Sequence, residues 1–130
     1  MKLRNLLTLI LIGIYSISFS QSIEFREHEI NSKFLKEKRL INVGLPKNYD
    51  INKNYPFVYI LDGELLFDYA NGALSFLANY EESIPNSIVI GISNTSRFRD
   101  MGLPINSKET ATHINFINII EKEVFPLIDE

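Results

Sequence analysis

The sequence predicts an α/β fold, a parallel sheet clad by helices, and three observations carry that prediction. Phe57 to Leu61 and Ile88 to Ile92 are unbroken apolar runs rich in β-branched and aromatic residues, as strands covered on both faces are. Between them Leu66, Ala70, Ala73, Leu77 and Tyr80 recur at helical spacing, so Leu65 to Tyr80 reads as an amphipathic helix. A strand, helix, strand order with short connections implies a right-handed crossover between parallel neighbours.

The first twenty residues have the form of a secretory signal. Lys2 and Arg4 give a positive start, Leu6 to Tyr15 is apolar, and Ser18-Phe19-Ser20 offers small residues for cleavage near Ser20/Gln21. That apolar run is short for a bilayer crossing, and the polar, charged Gln21 to Glu29 argues against a retained anchor. The predicted organisation is therefore residues 1–20 as signal peptide and 21–130 as one partial domain, exported to a periplasm or out of the cell. No cysteine follows the apolar run, which excludes lipid attachment there.

Ile23 to Ile30 mixes apolar and charged positions, as an exposed strand near a sheet edge does. Arg39 to Leu45 alternates more clearly, with Ile41, Val43 and Leu45 on one face and Leu40, Asn42 and Gly44 on the other, and Pro46 ends it. The two runs are expected to pair antiparallel. Lys47 to Tyr55 is a polar loop. Gly72 weakens the first helix slightly. A second helix is predicted from Thr112 to Ile128, with Ile114, Ile117, Ile120 (or Glu121), Val124 and Ile128 as its apolar stripe and Pro126 kinking it or marking its last turn.

Without the signal about 110 residues remain, near the low end of what buries a self-sufficient core. With no cysteine in the chain there is no disulfide framework and no thiolate metal site, and no cofactor is expected. Losing Lys2 and Arg4 takes the formal net charge from −3 to −5, with the acids scattered, which gives no electrostatic footprint for nucleic acid. No internal repeat or low-complexity tract is present.

Asp62-Gly63 directly follows a buried strand, where open α/β sheets place ligands. The glycine can let the backbone turn and present the Glu64 amide to an anion or oxyanion. Equally, Asp62 and Gly63 can simply make the turn and cap the helix. His28, on an outer strand, and His113, opening its helix, have no carboxylate or cysteine cluster at metal-ligand spacing. Glu27 and Glu29 share one strand face and are read as discouraging edge pairing.

Tyr55-Pro56-Phe57-Val58-Tyr59-Ile60-Leu61-Asp62-Gly63-Glu64, then Phe67-Asp68, Ile84-Pro85, Val89-Ile90-Gly91-Ile92-Ser93-Asn94-Thr95 and Arg97-Phe98-Arg99-Asp100 together resemble the putative-esterase branch of the α/β-hydrolases, the group of esterase D and enterochelin esterases. The match runs in order from about Arg39 to Ile128. The resemblance implies the N-terminal half of an α/β-hydrolase sheet, incomplete: two outer strands, two central parallel strands and two covering helices. It implies a secreted serine hydrolase acting on a small-molecule ester. The backbone N–H of Glu64 would give one of two oxyanion hydrogen bonds, with Arg97, Arg99 and Asp100 as wall or substrate-contact residues. An arginine fork can hold a carboxylate or phosphate; the competing reading is that Arg97 or Arg99 pairs with Asp100 or a sheet-end carboxylate to pin the loop. The chain departs from the family where Met101-Gly102-Leu103-Pro104 replaces the usual Thr-Pro continuation.

A nucleophile elbow needs Gly-x-Ser-x-Gly, and no such pentad occurs in these residues. Gly91-Ile92-Ser93 supplies half of it, but Thr95 stands at the second glycine position. Ser93, Asp100 and His113 fall within one loop and one helix start, whereas triad members come from the ends of different elements. Nucleophile, acid and histidine are expected beyond Glu130, and the 130-residue chain alone is expected to be inactive. Phe57 to Leu61 would then leave one edge unpaired, open to self-association. The alternatives are a non-catalytic secreted binding or interaction domain, and a non-functional remnant of a truncated gene.

Overall fold

The computed structural model describes residues 25–102 and 107–129; the expected signal peptide lies outside the described residues. Strands β1 (Phe25–Ser32), β2 (Glu37–Gly44) and β3 (Phe57–Leu61) lead into helix α1 (Gly63–Asn79), followed by β4 (Ile88–Ile92) and the short helix α2 (Arg97–Met101). Helix α3 (Ser107–Ile119), a π-helical turn (Ile120–Val124) and α4 (Phe125–Asp129) complete the order. None of the described helices is long and apolar enough to cross a membrane.

The four strands form one mixed sheet in the order β1-β2-β4-β3. β1 and β2 make the expected antiparallel hairpin, closed by Lys36 N–H donating to the Ser32 carbonyl at 3.0 Å. β2 runs antiparallel to β4, and β3 parallel to it. β4 is thus paired on both sides and buried throughout, while β3 is paired on one side among the described residues, with Phe57 41% and Leu61 39% exposed.

Helices cover both faces. On one, Ile41, Val43 and Leu45 join Ile88, Ile90 and Ile92 against Phe116, Ile119 and Val124. The parity of β2 is therefore as its alternation predicts. The helical stripe is as predicted only in part: Val124 is buried and Ile120 and Ile128 pack against the core, but Ile114 and Ile117 are each 53% exposed while Phe116 and Ile119 are buried. The π turn explains this. Phe125 N–H donates to the Ile120 carbonyl, five residues back, so one extra residue enters the turn and Val124 comes to share a face with Ile119 rather than with Ile117. Pro126, which has no N–H and crowds the carbonyl four residues back, makes a widened turn here less costly than a regular one. The turn is also tied to the hairpin, where Lys33 N–H donates to Glu123 Oε1 at 2.8 Å.

On the other face α1 lies against β4, and here too the buried side differs from the predicted one. Leu66, Leu77 and Tyr80 are exposed, and Gly63, Phe67 and Asn71 are buried. Close approach of helix to sheet decides the rotation. A Cβ at Gly91 would meet Phe67 Cδ2 at 2.7 Å, and one at Gly44 would meet the Asn71 side chain at 2.6 Å. At Gly63 a Cβ would meet backbone, 2.7 Å from both the Gly91 carbonyl carbon and the Ile92 nitrogen. Backbone atoms cannot rotate away as a side chain can. Gly63→Ala is accordingly expected to cost about 1–3 kcal/mol through overpacking. Gly72→Ala, exposed in the same helix with no atom within 4 Å of the added carbon, is expected to gain about 0.5–1 kcal/mol. Urea midpoints that move in the same direction for both variants would refute this seating of α1.

Candidate active site

The carboxyl ends of the two parallel strands, β3 and β4, lie side by side with Leu61 opposite Ile92, so the chain leaving each strand meets the other. At the end of β3 the sharp bend falls on Asp62, which has φ 55° and ψ 42°, and not on Gly63, since no glycine among the described residues has a positive φ. Aspartate tolerates the left-handed region better than most residues because its short polar side chain can bond locally. Gly63 is required for space against β4 rather than for conformational freedom.

Asp62 is the residue preceding α1, but its side chain makes no cap hydrogen bond. Its carbonyl receives the Leu65 and Leu66 N–H groups, both at 2.9 Å. Glu64 occupies the second helical position, where an N–H has no acceptor within the helix. Helix α1 begins beside the ends of β3 and β4, where the positive end of its dipole lies. The Asp62 carbonyl closes the first turn of α1, so the bend starts the helix without a side-chain cap.

The Asp62 carboxylate crosses to the loop after β4. Oδ1 accepts from Asn94 Nδ2 at 2.5 Å, and Oδ2 lies 3.0 Å from Arg97 Nε. Asn94 N–H in turn donates to Glu64 Oε2 at 2.8 Å. The Arg97 side chain is 75% exposed, so its pairing with Asp62 is weakly held and the outer guanidinium nitrogens face solvent. Arg97, Phe98, Met101 and Gly102 line an open depression beside this rim.

Arg99 and Asp100 occupy a different environment. Asp100 is 2% exposed, with Oδ2 taken by Arg39 Nη2 at 2.5 Å and Oδ1 by Arg99 Nε at 2.8 Å. Arg39, 1% exposed, also donates through Nη1 to the Ser93 carbonyl at 2.9 Å and lies 2.6 Å from Glu37 Oε1. Arg99 reaches both Glu37 oxygens, at 2.7 and 3.0 Å, and Thr95 adds its hydroxyl to Glu37 at 2.7 Å. Two arginines and two carboxylates thus fasten the loop to β2, which is the pinning arrangement. Of the three residues expected to contact substrate, Arg97 is the most exposed, yet it too pairs with a sheet-end carboxylate, Asp62. Arg39 and Glu37 belong to this ion-pair cluster although the sequence reading assigned them nothing, and Asn94 joins it to the bend.

Hydrogen bonding by Arg99 holds the Glu37 carboxyl below its ordinary value of 4.5, and the Arg99 guanidinium is pushed up mainly by that same bond. A carboxyl depressed in the folded state adds stability that is complete above the unfolded value and lost as pH falls through the folded one. Stability is therefore expected to decline below about pH 4.5. Glu37→Gln should flatten that part of the profile. An identical acid limb in parent and variant would remove Glu37 from the account.

Ser93 is 7% exposed, its Oγ is buried without a partner, and its backbone is held at both ends, by Arg39 at the carbonyl and by the Leu40 carbonyl at the N–H. Among the described residues no base is hydrogen-bonded to that hydroxyl, as activation of a serine nucleophile requires. The ring nitrogens of His113 are buried and without a partner, and His28 is exposed. Among the described residues no group of three or more His, Cys, Asp or Glu could hold a metal ion.

The family model described as Putative esterase matches residues 32–130. An IroE-like serine hydrolase from Shewanella oneidensis is 34% identical, with a TM-score of 0.68 over 82% of this chain and 38% of its own. The BES protein from Bacillus cereus, 22% identical, has a TM-score of 0.67 over 88% of this chain and 49% of its own. The enterobactin esterase FES from Shigella flexneri, solved in the presence of enterobactin, is 21% identical, with a TM-score of 0.63 over 82% of this chain and 26% of its own. The last two are similar in fold. The chain spans between about a quarter and a half of the length of these three structures. Comparison with curated proteins gives no match.

Proposed function

Because the chain belongs to the Putative esterase family, we propose that it supplies the oxyanion-binding side of an exported serine ester hydrolase whose nucleophile, acid and histidine lie outside residues 1–130. The observation that carries this is that Glu64 stands second in its helix, where an N–H has no helical acceptor, in the turn that leaves β3 beside the end of its parallel neighbour β4; in this reading that N–H points to the bound acyl oxygen. In ester hydrolysis a serine hydroxyl, deprotonated by histidine, attacks the acyl carbonyl, and the oxygen gains negative charge. Donors already in place stabilise that charge without reorganising, so they act on the transition state more than on the ground state. Collapse expels the alcohol and leaves an acyl-serine, which water then cleaves.

In this reading Arg97 faces the bound ester from the rim, and a substrate with an anionic group would exchange Asp62 for that group as the guanidinium's partner. Arg99 and Asp100 hold the loop. Export rests on the charged start, apolar run and small-residue site of residues 1–20. The half-paired β3 edge supports self-association of the chain on its own.

One experiment addresses these points together. The chain alone is expected to sediment as an oligomer and to leave nitrophenyl acetate intact. Residues 25–129, joined to the C-terminal part of the IroE-like serine hydrolase in place of its own N-terminal part, are expected to give a monomer that turns the ester over. A folded, monomeric fusion without turnover would contradict the proposal and favour a non-catalytic binding domain.

A further inference from the structure

Asn94 touches the bend on both sides of Gly63. Its Nδ2 donates to Asp62 Oδ1 at 2.5 Å, and its own N–H donates to Glu64 Oε2 at 2.8 Å. Asp62, between these contacts and the end of β3, is in the left-handed region. For a non-glycine residue that conformation persists only where its surroundings hold it. Asp62 is 8% exposed and its other carboxylate contact is to the largely exposed Arg97, so Asn94 is the partner that can hold it. Asn94 is itself mounted on a fixed base. The residue before it, Ser93, is bonded through its N–H to the Leu40 carbonyl at 3.1 Å and through its carbonyl to buried Arg39, which Asp100 fixes.

We propose that Asn94 is a positioning residue, clamping the Asp62–Gly63–Glu64 bend so that the Glu64 N–H keeps its direction at the rim; this rests on the ester-hydrolase reading above. The clamp couples two loops that follow different strands, and the ion-pair cluster under Ser93 is its foundation. Asn94 reaches only the groups that place the donor, so its effect on chemistry passes through Glu64.

Hydrogen exchange of the full chain tests this without needing turnover. The Leu65 and Leu66 amides, whose acceptor is the Asp62 carbonyl, are the reporters. In Asn94→Ala they are expected to exchange about tenfold faster, as loss of one partly buried hydrogen bond implies, while β4 and the second half of α1 keep their protection. Asn94→Asp sets a carboxylate against that of Asp62. One of two such groups takes up a proton more readily than an isolated carboxyl, and once both are ionised they repel, so protection should fall as pH rises and return on acidification, when one shared proton restores the bond. The exchange D62N/N94D reverses donor and acceptor and should restore protection at neutral pH. In the fusion, Asn94→Ala should lower kcat with KM little changed, and the exchanged pair should recover it. Unchanged Leu65 and Leu66, protection lost evenly across the sheet, or failure of the exchanged pair to recover protection would overturn the clamp. If the fusion shows no hydrolysis at all while these exchange results hold, the ester-hydrolase reading fails and the clamp on the bend stands.

Discussion

Asp100→Ala is expected to destabilise the fold by about 3 to 5 kcal/mol, the usual cost of stripping one partner from a buried ion pair. Arg39 would remain 1% exposed with its Nη2 facing only Glu37, and Arg99 would lose the acceptor of its Nε. Domains of this size hold roughly 5–15 kcal/mol in total, so such a loss removes much of the margin. Urea denaturation reads it directly. The cost comes from an unpaired buried charge and not from lost attraction, so R39M with D100L should recover most of the stability. A midpoint for Asp100→Ala within about 1 kcal/mol of the parent would show that the cluster does not carry the loop.

The second large effect is on chemistry. Glu64→Pro deletes the N–H at a helical position where proline is tolerated, since no helical bond is lost there. It also removes the carboxylate that receives Asn94, so Glu64→Ala, which keeps the N–H, is the proper reference. Relative to that reference, and in the proposed reading, losing this donor in the fusion is expected to lower kcat by about 10²–10³. KM should move little, because the donor acts on charge that develops only in the transition state.

Much of this fold is written locally. The runs Phe57–Leu61 and Ile88–Ile92 become β3 and β4 with those same bounds, because a strand covered on both faces needs continuous apolar sequence. Alternation in β2 places Ile41, Val43 and Leu45 in the core as read. The same parity puts Arg39 on the inner face. Its charge argues otherwise until Asp100, sixty-one residues away, comes beside it. No local pattern carries that information.

The helical periodicity places the helices along the chain but only part of their buried faces. For α1 the apolar residues point to one face, yet glycines in the sheet admit Phe67 and Asn71 on another. Gly91, alone in the middle of an apolar strand, was the available signal, because such a glycine marks close approach. For α3 the π turn shifts the register by one residue, which a fixed helical period cannot anticipate. At the site, the Asp-Gly bend and the amide after it were legible from the motif. The left-handed Asp62 and the contacts of Asn94 were not, since both depend on two loops meeting in space.

The central claim is that the Glu64 backbone amide receives charge from an acyl carbonyl. Steady-state hydrolysis of nitrophenyl acetate by the fusion, comparing Glu64→Pro with Glu64→Ala, tests it most directly. The account predicts a kcat ratio of about 10²–10³ in favour of alanine at similar KM and similar stability. Equal kcat for the two folded variants would contradict it.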